Sequence, residues 1–331
     1  MFETKLLKSD STPRPYEEQF ASTVDQGLSL TNKRLPSWLI FDSVGSEIFK
    51  KITQLAEYLP ATCEFDIIRN QKNNLTKLIT GDAFNLIELG SGDGCKTRIL
   101  IEHFLSESFD IHYFPIDISS GAVKNLVRTL EQDQKNASLK VTGLIGDYFD
   151  GLSSVIQEGP KQNLVLFLGV TLNNMDPDTA QSFLENIKTR LSPNDYLMIG
   201  FDLMKNPKQL YSAYNDSQGL FEKFNLHLLD RINQELGANF NKEYFVQQGQ
   251  FNPKTRAVES YLYSTCDQVV RIKALNKDYH FKAWEAMQTE QSFKFTLEDI
   301  ESLAEQNGFE IVEHLFDSQN YFVDSIWKVA P

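Results

Sequence analysis

Three groups of residues have the types and spacing for chemistry on a nucleotide-like ligand. The first is Gly90-Ser91-Gly92-Asp93-Gly94 with Lys96 just beyond it, after the apolar run Leu86-Ile87-Glu88-Leu89 and before a helix-like segment from Lys96 to Phe104. A buried strand, a glycine turn and a helix start make the first βα unit of a nucleotide-binding sheet. Glycines let the backbone pass close to a ligand, and the N–H groups at the helix start can face it. The second is Asp117, at the end of the run Ile111–Ile116, where an acid can accept hydrogen bonds from both ribose hydroxyls. The third is Asp147-Tyr148, after Lys140–Ile145. There a carboxylate can take an adenine amino group and a ring can stack on the base. Either aspartate alone reads as a helix N-cap. All three at consecutive strand ends favour a cofactor, in the layout of an S-adenosylmethionine site. Cys95 replaces the third glycine of G-x-G-x-x-G, so a pyrophosphate is not required, and NAD is the second cofactor reading. No phosphate-binding G-x-x-x-x-G-K-[ST] run supports ATP.

A second constellation suits an acceptor. Asn174 follows the fourth apolar run, and ligands of open α/β sheets sit beyond the carboxyl ends of the strands. A neutral amide there could hold an amine or a carboxylate; an ordinary turn asparagine is the plainer alternative. Tyr211 and Tyr214 open a segment that breaks the core pattern, where a tyrosine is commonly a core residue with a wet hydroxyl. Glu290 and Ser292 share one side if Thr289–Ser292 is extended. A carboxylate and a hydroxyl could then grip a polar ring with two nitrogens, and a solvated strand end explains them equally well.

The elements that must position these groups follow from periodicity. Strands are expected at Asn85–Leu89, Ile111–Ile116, Lys140–Ile145, Asn163–Gly169 and Tyr196–Asp202, alternating with helices. That alternation predicts a parallel sheet covered on both faces. Residues 1–20 read as a loosely held arm. Helical text from Phe20 to about Thr80 suggests a cap. The alternation fails from about Lys205 to Ala286, where an amphipathic helix through Phe221, Phe224, Leu228, Ile232 and Leu236 precedes strand-like runs at Glu243–Gln250, Ala257–Thr265 and Val269–Ala274. The end returns to the core with a helix capped at Thr296, closed by Gly308, and a terminal hairpin, Phe309–Phe316 with Tyr321–Val329. The expected division is 1–80 as the N-terminal part of a substrate domain, 81–204 as the cofactor core, 205–286 as the inserted substrate domain, and 287–331 as the return to the core.

Bulk properties bound the partners. Over 331 residues, 32 basic against 45 acidic side chains give a net charge of −13. That argues against nucleic acid or an anionic membrane as partner. No window approaches the roughly 20 apolar residues of a membrane span, and no signal-peptide core opens the chain. Cys63, Cys95 and Cys266 have no metal-binding spacing and make a poor disulfide framework, which fits a reducing cytoplasm. No metal is expected.

The stretches FDSVGSEIFKKITQLAEYLPATCE, IELGSGDGCKT, FLGVTLNNMDP, Asp202 to Asp216, FNLHLLDRINQELGANF and TEQSFKF stand in order along the chain. From about Trp38 onward it resembles the S-adenosylmethionine-dependent histidine Nα-methyltransferases of ergothioneine biosynthesis. The resemblance implies a Rossmann-like class I methyltransferase sheet with a smaller α+β substrate domain, acting on a small amino acid; a monomer is expected. By resemblance, Gly90, Lys96, Asp117, Asp147 and Tyr148 are cofactor positions, and the glycine turn adds Gly92. Asn174 and Tyr214 hold the amino acid head group and carry the catalytic assignment, Tyr214 as candidate base. Tyr58 belongs to the substrate pocket, and Glu290 with Ser292 contacts the imidazole. Two positions depart from the pattern. Phe41 stands where histidine-specific members have tyrosine, and Ser260 where they have methionine. The family also resembles fungal enzymes that N-methylate a prenylated tryptophan, which keeps other amino acids open as acceptors. Three methyl transfers to a trimethylammonium product are implied.

Overall fold

The computed structural model describes residues 1–7, 16–133, 138–159 and 161–330. In chain order the described elements begin with β1 (Phe2–Leu6), α1 (Tyr16–Ser29), α2 (Ser43–Ile52), α3 (Leu59–Thr76), β2 (Ala83–Leu89), α4 (Cys95–Ser106), β3 (Asp110–Asp117) and α5 (Ser120–Gln132). They continue with β4 (Lys140–Ile145), α6 (Tyr148–Ile156), β5 (Gln162–Phe167), α7 (Pro177–Lys188), β6 (Tyr196–Asp202), α8 (Pro207–Tyr214) and α9 (Leu220–Leu236). The remainder are β7 (Phe245–Asn252), β8 (Ala257–Ser264), β9 (Gln268–Ile272), β10 (Lys277–Phe281), β11 (Ala286–Phe293), α10 (Leu297–Gln306), β12 (Phe309–Phe316) and β13 (Phe322–Val329).

The chain divides into two compact units. The first comprises Met1–Ser11, Cys63–Leu203 and Phe295–Pro331; the second comprises Thr12–Thr62 and Met204–Lys294. These boundaries differ from the sequence reading at the N-terminus, at 80 and at 286. Met1–Ser11 and residues 63–80 belong to the first unit and not to the substrate domain, and 287–294 complete the small sheet of the second unit. The differences arise because sequence periodicity marks elements but not the core each one packs on.

The first unit is an α/β sheet in the order β1-β4-β3-β2-β5-β6-β13-β12. All neighbours are parallel except β13, which runs antiparallel to both β6 and β12. Strands β2 to β6 are nearly continuous apolar runs because helices cover them. Ile87, Phe114, Val165, Ile199 and Trp327 pack with Leu184 and Ile300 in one core. The terminal hairpin and the Thr296–Asp299 capping box take the expected form. In contrast to a loose arm, Phe2–Leu6 is a strand, pairing in parallel with Val141–Ile145. Its signal is weak because an edge strand is held by main-chain hydrogen bonds and needs little apolar burial. Of the rest of the proposed arm, 8–15 lie outside the described residues and 16–20 are no arm but the first turn of α1.

The second unit has its own core, in which Phe20, Leu39, Ile52, Phe224, Leu228, Val258 and Met287 meet. A three-stranded antiparallel sheet, β7-β8-β11, carries the α9 helix, and β9 pairs with β10 in a separate ribbon. The sequence carries no strand signal for β10, and for β11 only the extended alternative at Thr289–Ser292. Lys277-Asp278-Tyr279-His280-Phe281 alternates too briefly to register, and β11 hides its strand pattern under a polar inner row.

Candidate active site

Register brings the cofactor candidates to one edge of the large sheet. Leu89 stands beside Ile116, Asp117 beside Ile145, and Phe167 beside Ile199. The residues that follow β2, β3, β4 and β5 therefore leave the sheet together. Gly90 turns the chain with φ +78°, and its amide donates to the Ile116 carbonyl at 2.9 Å. A Cβ at Gly90 would lie 2.9 Å from the Tyr148 hydroxyl, so the phenol closes directly over the turn. At Gly92 φ is +52° and the space where a side chain would go is open. That open cradle, floored by backbone and flanked by an aromatic ring, is the shape a nucleoside needs.

Asp117 is tied into the turn. Its Oδ2 accepts from Gly92 N at 3.4 Å and its Oδ1 from Ser119 N at 2.8 Å. Burial raises its carboxyl above the usual range, against those amide bonds. Asp147 caps α6, its Oδ1 accepting from Phe149 N at 2.7 Å. The N-cap alternative thus describes one of its oxygens. Burial, with Asp117 and Asp147 nearby, pushes the Tyr148 phenol up. Behind the turn sits Glu88, which the sequence reading passed over as one polar residue in a strand. Its Oε1 accepts from Thr97 at 2.6 Å and its Oε2 from the Tyr113 hydroxyl. Burial lifts this carboxyl to about 7 despite both bonds. It braces β2 and β3 against the first turn of α4. Lys96 pairs with Glu64 of α3, an interaction absent from the sequence reading. Asn174 ends a single 3₁₀ turn after β5, and its buried Oδ1 has no partner among the described residues.

The second unit collects every other acceptor candidate. Tyr58, Tyr214, Phe49, Phe221, Phe224 and Phe41 form an aromatic nest. Tyr58 lies 6.3 Å from Tyr214 and 5.7 Å from Phe221, and Phe41 lies edge-on at 5.3 Å to both Phe49 and Phe224. Tyr214 ends α8, where β7 passes so close that a Cβ on Gly249 would lie 2.9 Å from the Tyr214 Cβ. Asn215 locks that approach by donating to the Gly249 carbonyl at 3.0 Å and accepting from its amide at 2.9 Å.

Strand β11 is extended, as the pairing of Glu290 with Ser292 required. It contains a bulge: Gln288 pairs with Tyr261 and Glu290 with Ser260, leaving Thr289 as an extra residue. Two successive side chains, Thr289 and Glu290, are therefore both buried, and alternation then buries Ser292 and Lys294. Thr289 Oγ1 donates to Asn225 on α9 and, at 3.2 Å, to the Ser260 carbonyl. Lys294 was not singled out in the sequence, yet it is 2% exposed and joins the whole group. Its Nζ donates to the Tyr214 hydroxyl at 3.0 Å and to Ser292 Oγ at 2.9 Å. A lysine one residue past a polar strand end looks solvated in sequence, and only its alternation with Glu290 and Ser292 could have placed it inside.

Ser260 stands directly across from Glu290, fully buried. Neither Ser260 Oγ nor Glu290 Oε2 has a hydrogen-bond partner among the described residues. Burial pushes the Glu290 carboxyl up to about 7, while the charge of Lys294 pulls the other way. No group of His, Cys, Asp and Glu among the described residues could hold a metal ion, and no described helix is long and apolar enough to cross a membrane.

Comparisons with known proteins give the family. The chain is 31% identical over 283 residues to the histidine N-alpha-methyltransferase of Mycolicibacterium smegmatis, covering 86% of each protein. It is 28% identical to ergothioneine biosynthesis protein 1 of Schizosaccharomyces pombe, covering 86% of this chain and 37% of that one. It is 25% identical to a 4-dimethylallyltryptophan N-methyltransferase of Claviceps purpurea, over 60% of this chain and 59% of the other. Residues 20–329 match the family described as histidine-specific methyltransferase, SAM-dependent, and the chain belongs to that family.

Proposed function

We propose that this chain methylates the α-amino nitrogen of free L-histidine, with S-adenosylmethionine as donor and the Nα-trimethyl betaine as product. The observation that carries the acceptor is the buried pair Ser260 and Glu290, whose Oγ and Oε2 lack partners among the described residues. A buried polar group without a partner costs roughly 1–3 kcal/mol. A ring bearing N–H groups removes that cost, and a hydrocarbon side chain cannot. Ser260 thus adds a polar neighbour to Glu290 and supports an imidazole. Phe41, without a hydroxyl, contributes only ring packing.

The residues of the glycine edge suit the donor. Asp117 offers its carboxylate to the ribose hydroxyls, Tyr148 its ring to the base, and Lys96 its ammonium to a carboxylate. When bound, S-adenosylmethionine supplies an electrophilic methyl group on sulfur. The chain's own part is then to fix a neutral amine in line with that methyl, and positioning of this kind can provide much of the acceleration. Asn174 Oδ1 accepts from the substrate amine. Tyr214 accepts from Lys294, which orients its own proton outward to the substrate carboxylate. Glu290 and Ser292 fix the ring. An amine held through its neighbours can turn and be methylated again.

The test is turnover with S-adenosylmethionine and a mixture of amino acids that includes histidine and tryptophan, read by mass. Histidine is expected to gain one, two and then three methylene masses. Methylation of tryptophan with histidine untouched would replace the acceptor; no methylated product would overturn the reading.

Lys294→Met removes the donor shared by Tyr214 and Ser292. Hydrogen bonds involving a charged group contribute roughly 1.5–3 kcal/mol each, so the histidine KM is expected to rise by at least about tenfold. S-adenosylhomocysteine affinity should not move. Steady-state kinetics and calorimetry check both halves.

A further inference from the structure

One buried cluster of the first unit has no part in the fold's hydrophobic core. Glu64, on α3, is fully buried, and its two oxygens serve different elements. Oε2 accepts from Lys96 Nζ at the start of α4, and Oε1 accepts at 2.5 Å from the amide of Gly169, just past β5. Gly169 has φ +78°, so its amide points where few other residues could send it. The sheet makes room for this carboxylate. A Cβ on Gly200 of β6 would lie 2.7 Å from Glu64 Oε1 and 2.7 Å from the Gly169 carbonyl. Across from Gly200, in register on β13, stands Asp324, fully buried, whose oxygens receive no hydrogen bond from the described residues. Burial, with Glu64 close by, drives the Asp324 carboxyl well above its ordinary range. Burial alone would lower the Lys96 ammonium, yet Glu64, with Asp324 and Glu88 farther off, holds it above the usual lysine range.

We propose that Glu64 is a positioning residue for the cofactor: it fixes the Lys96 ammonium and the Gly169 amide so that Lys96 presents its remaining N–H groups to the carboxylate of the cofactor's amino-acid part. The side chain of Lys96 is 25% exposed while that of Glu64 is 1% exposed, so a ligand meets the lysine and not the acid behind it. A lysine is a flexible point charge, and an anchored one loses less freedom when it binds. This inference rests on the S-adenosylmethionine reading.

The experiment measures binding of two ligands to the full chain by calorimetry. S-adenosylhomocysteine carries the amino-acid carboxylate, and 5′-methylthioadenosine lacks the whole amino-acid part. Glu64→Gln keeps the shape and removes the charge. It is expected to weaken S-adenosylhomocysteine roughly tenfold or more while leaving methylthioadenosine within about twofold, since a charged hydrogen-bonded pair is broken on one ligand only. Glu64→Gln combined with Lys96→Met should bind S-adenosylhomocysteine no worse than Lys96→Met alone, because one acts through the other. Equal losses for both ligands, additive losses in the double variant, or unchanged S-adenosylhomocysteine affinity would each overturn the role. Should Glu64→Gln fail to fold, Glu64→Asp, one methylene short, reads the same ratio of the two ligands. If the parent protein binds neither ligand, the cofactor reading itself fails; if it binds both and the variant matches it, only the role of Glu64 does.

Discussion

Glu290→Gln is expected to make the protein more stable above neutral pH while crippling histidine binding. Burial raises the Glu290 carboxyl to about 7 in the folded chain, although Lys294 acts against this. In the unfolded chain a glutamate titrates near 4.3, and each unit of difference corresponds to about 1.4 kcal/mol. For an acid whose folded value is the higher one, the stability it contributes is complete below the unfolded value and is lost as pH rises through the folded one. The native chain therefore forfeits on the order of 3 kcal/mol between about pH 4 and pH 8, and the neutral amide does not. Urea unfolding at both ends of that window should give matching stabilities for parent and variant at the acidic end and a more stable variant at the basic end. The same substitution removes an anionic acceptor from the ring site. Histidine KM should rise roughly ten- to a hundredfold, the loss of one charged hydrogen bond, with cofactor affinity intact. A variant with parental histidine KM would remove Glu290 from the ring site.

Asp117→Ala carries the largest effect expected on the cofactor side. Two hydrogen bonds from ribose hydroxyls to a carboxylate are lost, at roughly 1.5–3 kcal/mol each before compensation by water. The Kd for S-adenosylhomocysteine should rise about a hundredfold. Because Asp117 also accepts from Gly92 N and Ser119 N, the turn itself loosens, and a modest fall in Tm should accompany the change. Unlike Glu64→Gln, this variant should weaken methylthioadenosine as much as S-adenosylhomocysteine, since both carry the ribose. Unchanged affinity for both would sink the assignment of Asp117.

The large sheet was legible because strands covered on both faces are continuous apolar runs, each ended by a glycine or an acid that points to a ligand edge. Gly90, Asp117 and Tyr148 could be placed from that pattern alone. The small sheet was only partly legible. Residues 286–293 carry Thr289, Glu290 and Ser292 inward, so the usual alternation of apolar and polar residues is inverted where the site is built. Lys294, Glu64 and Glu88 were not legible at all, because a charged side chain reads as surface unless its partner is known. Lys294 finds Tyr214 eighty positions away in sequence, and Glu64 finds Lys96 at a separation of 32. Such pairs exist only in the folded chain. Ser260 was legible as a departure, and the strand opposite shows what it faces: the Glu290 carboxylate.

The bulge at Thr289 bears on how such an enzyme can change its diet. A one-residue slip in a strand normally reverses every side chain and destroys the face it served. Here the extra residue has no opposite number, so losing it would heal the ladder and leave Glu290 still facing Ser260. What would go is the tether from Thr289 to α9. Anchorage and recognition thus occupy adjacent residues that can drift separately. On the proposed acceptor site, positions 260, 290 and 292 can be substituted for another amino acid while Thr289 keeps the strand moored to α9.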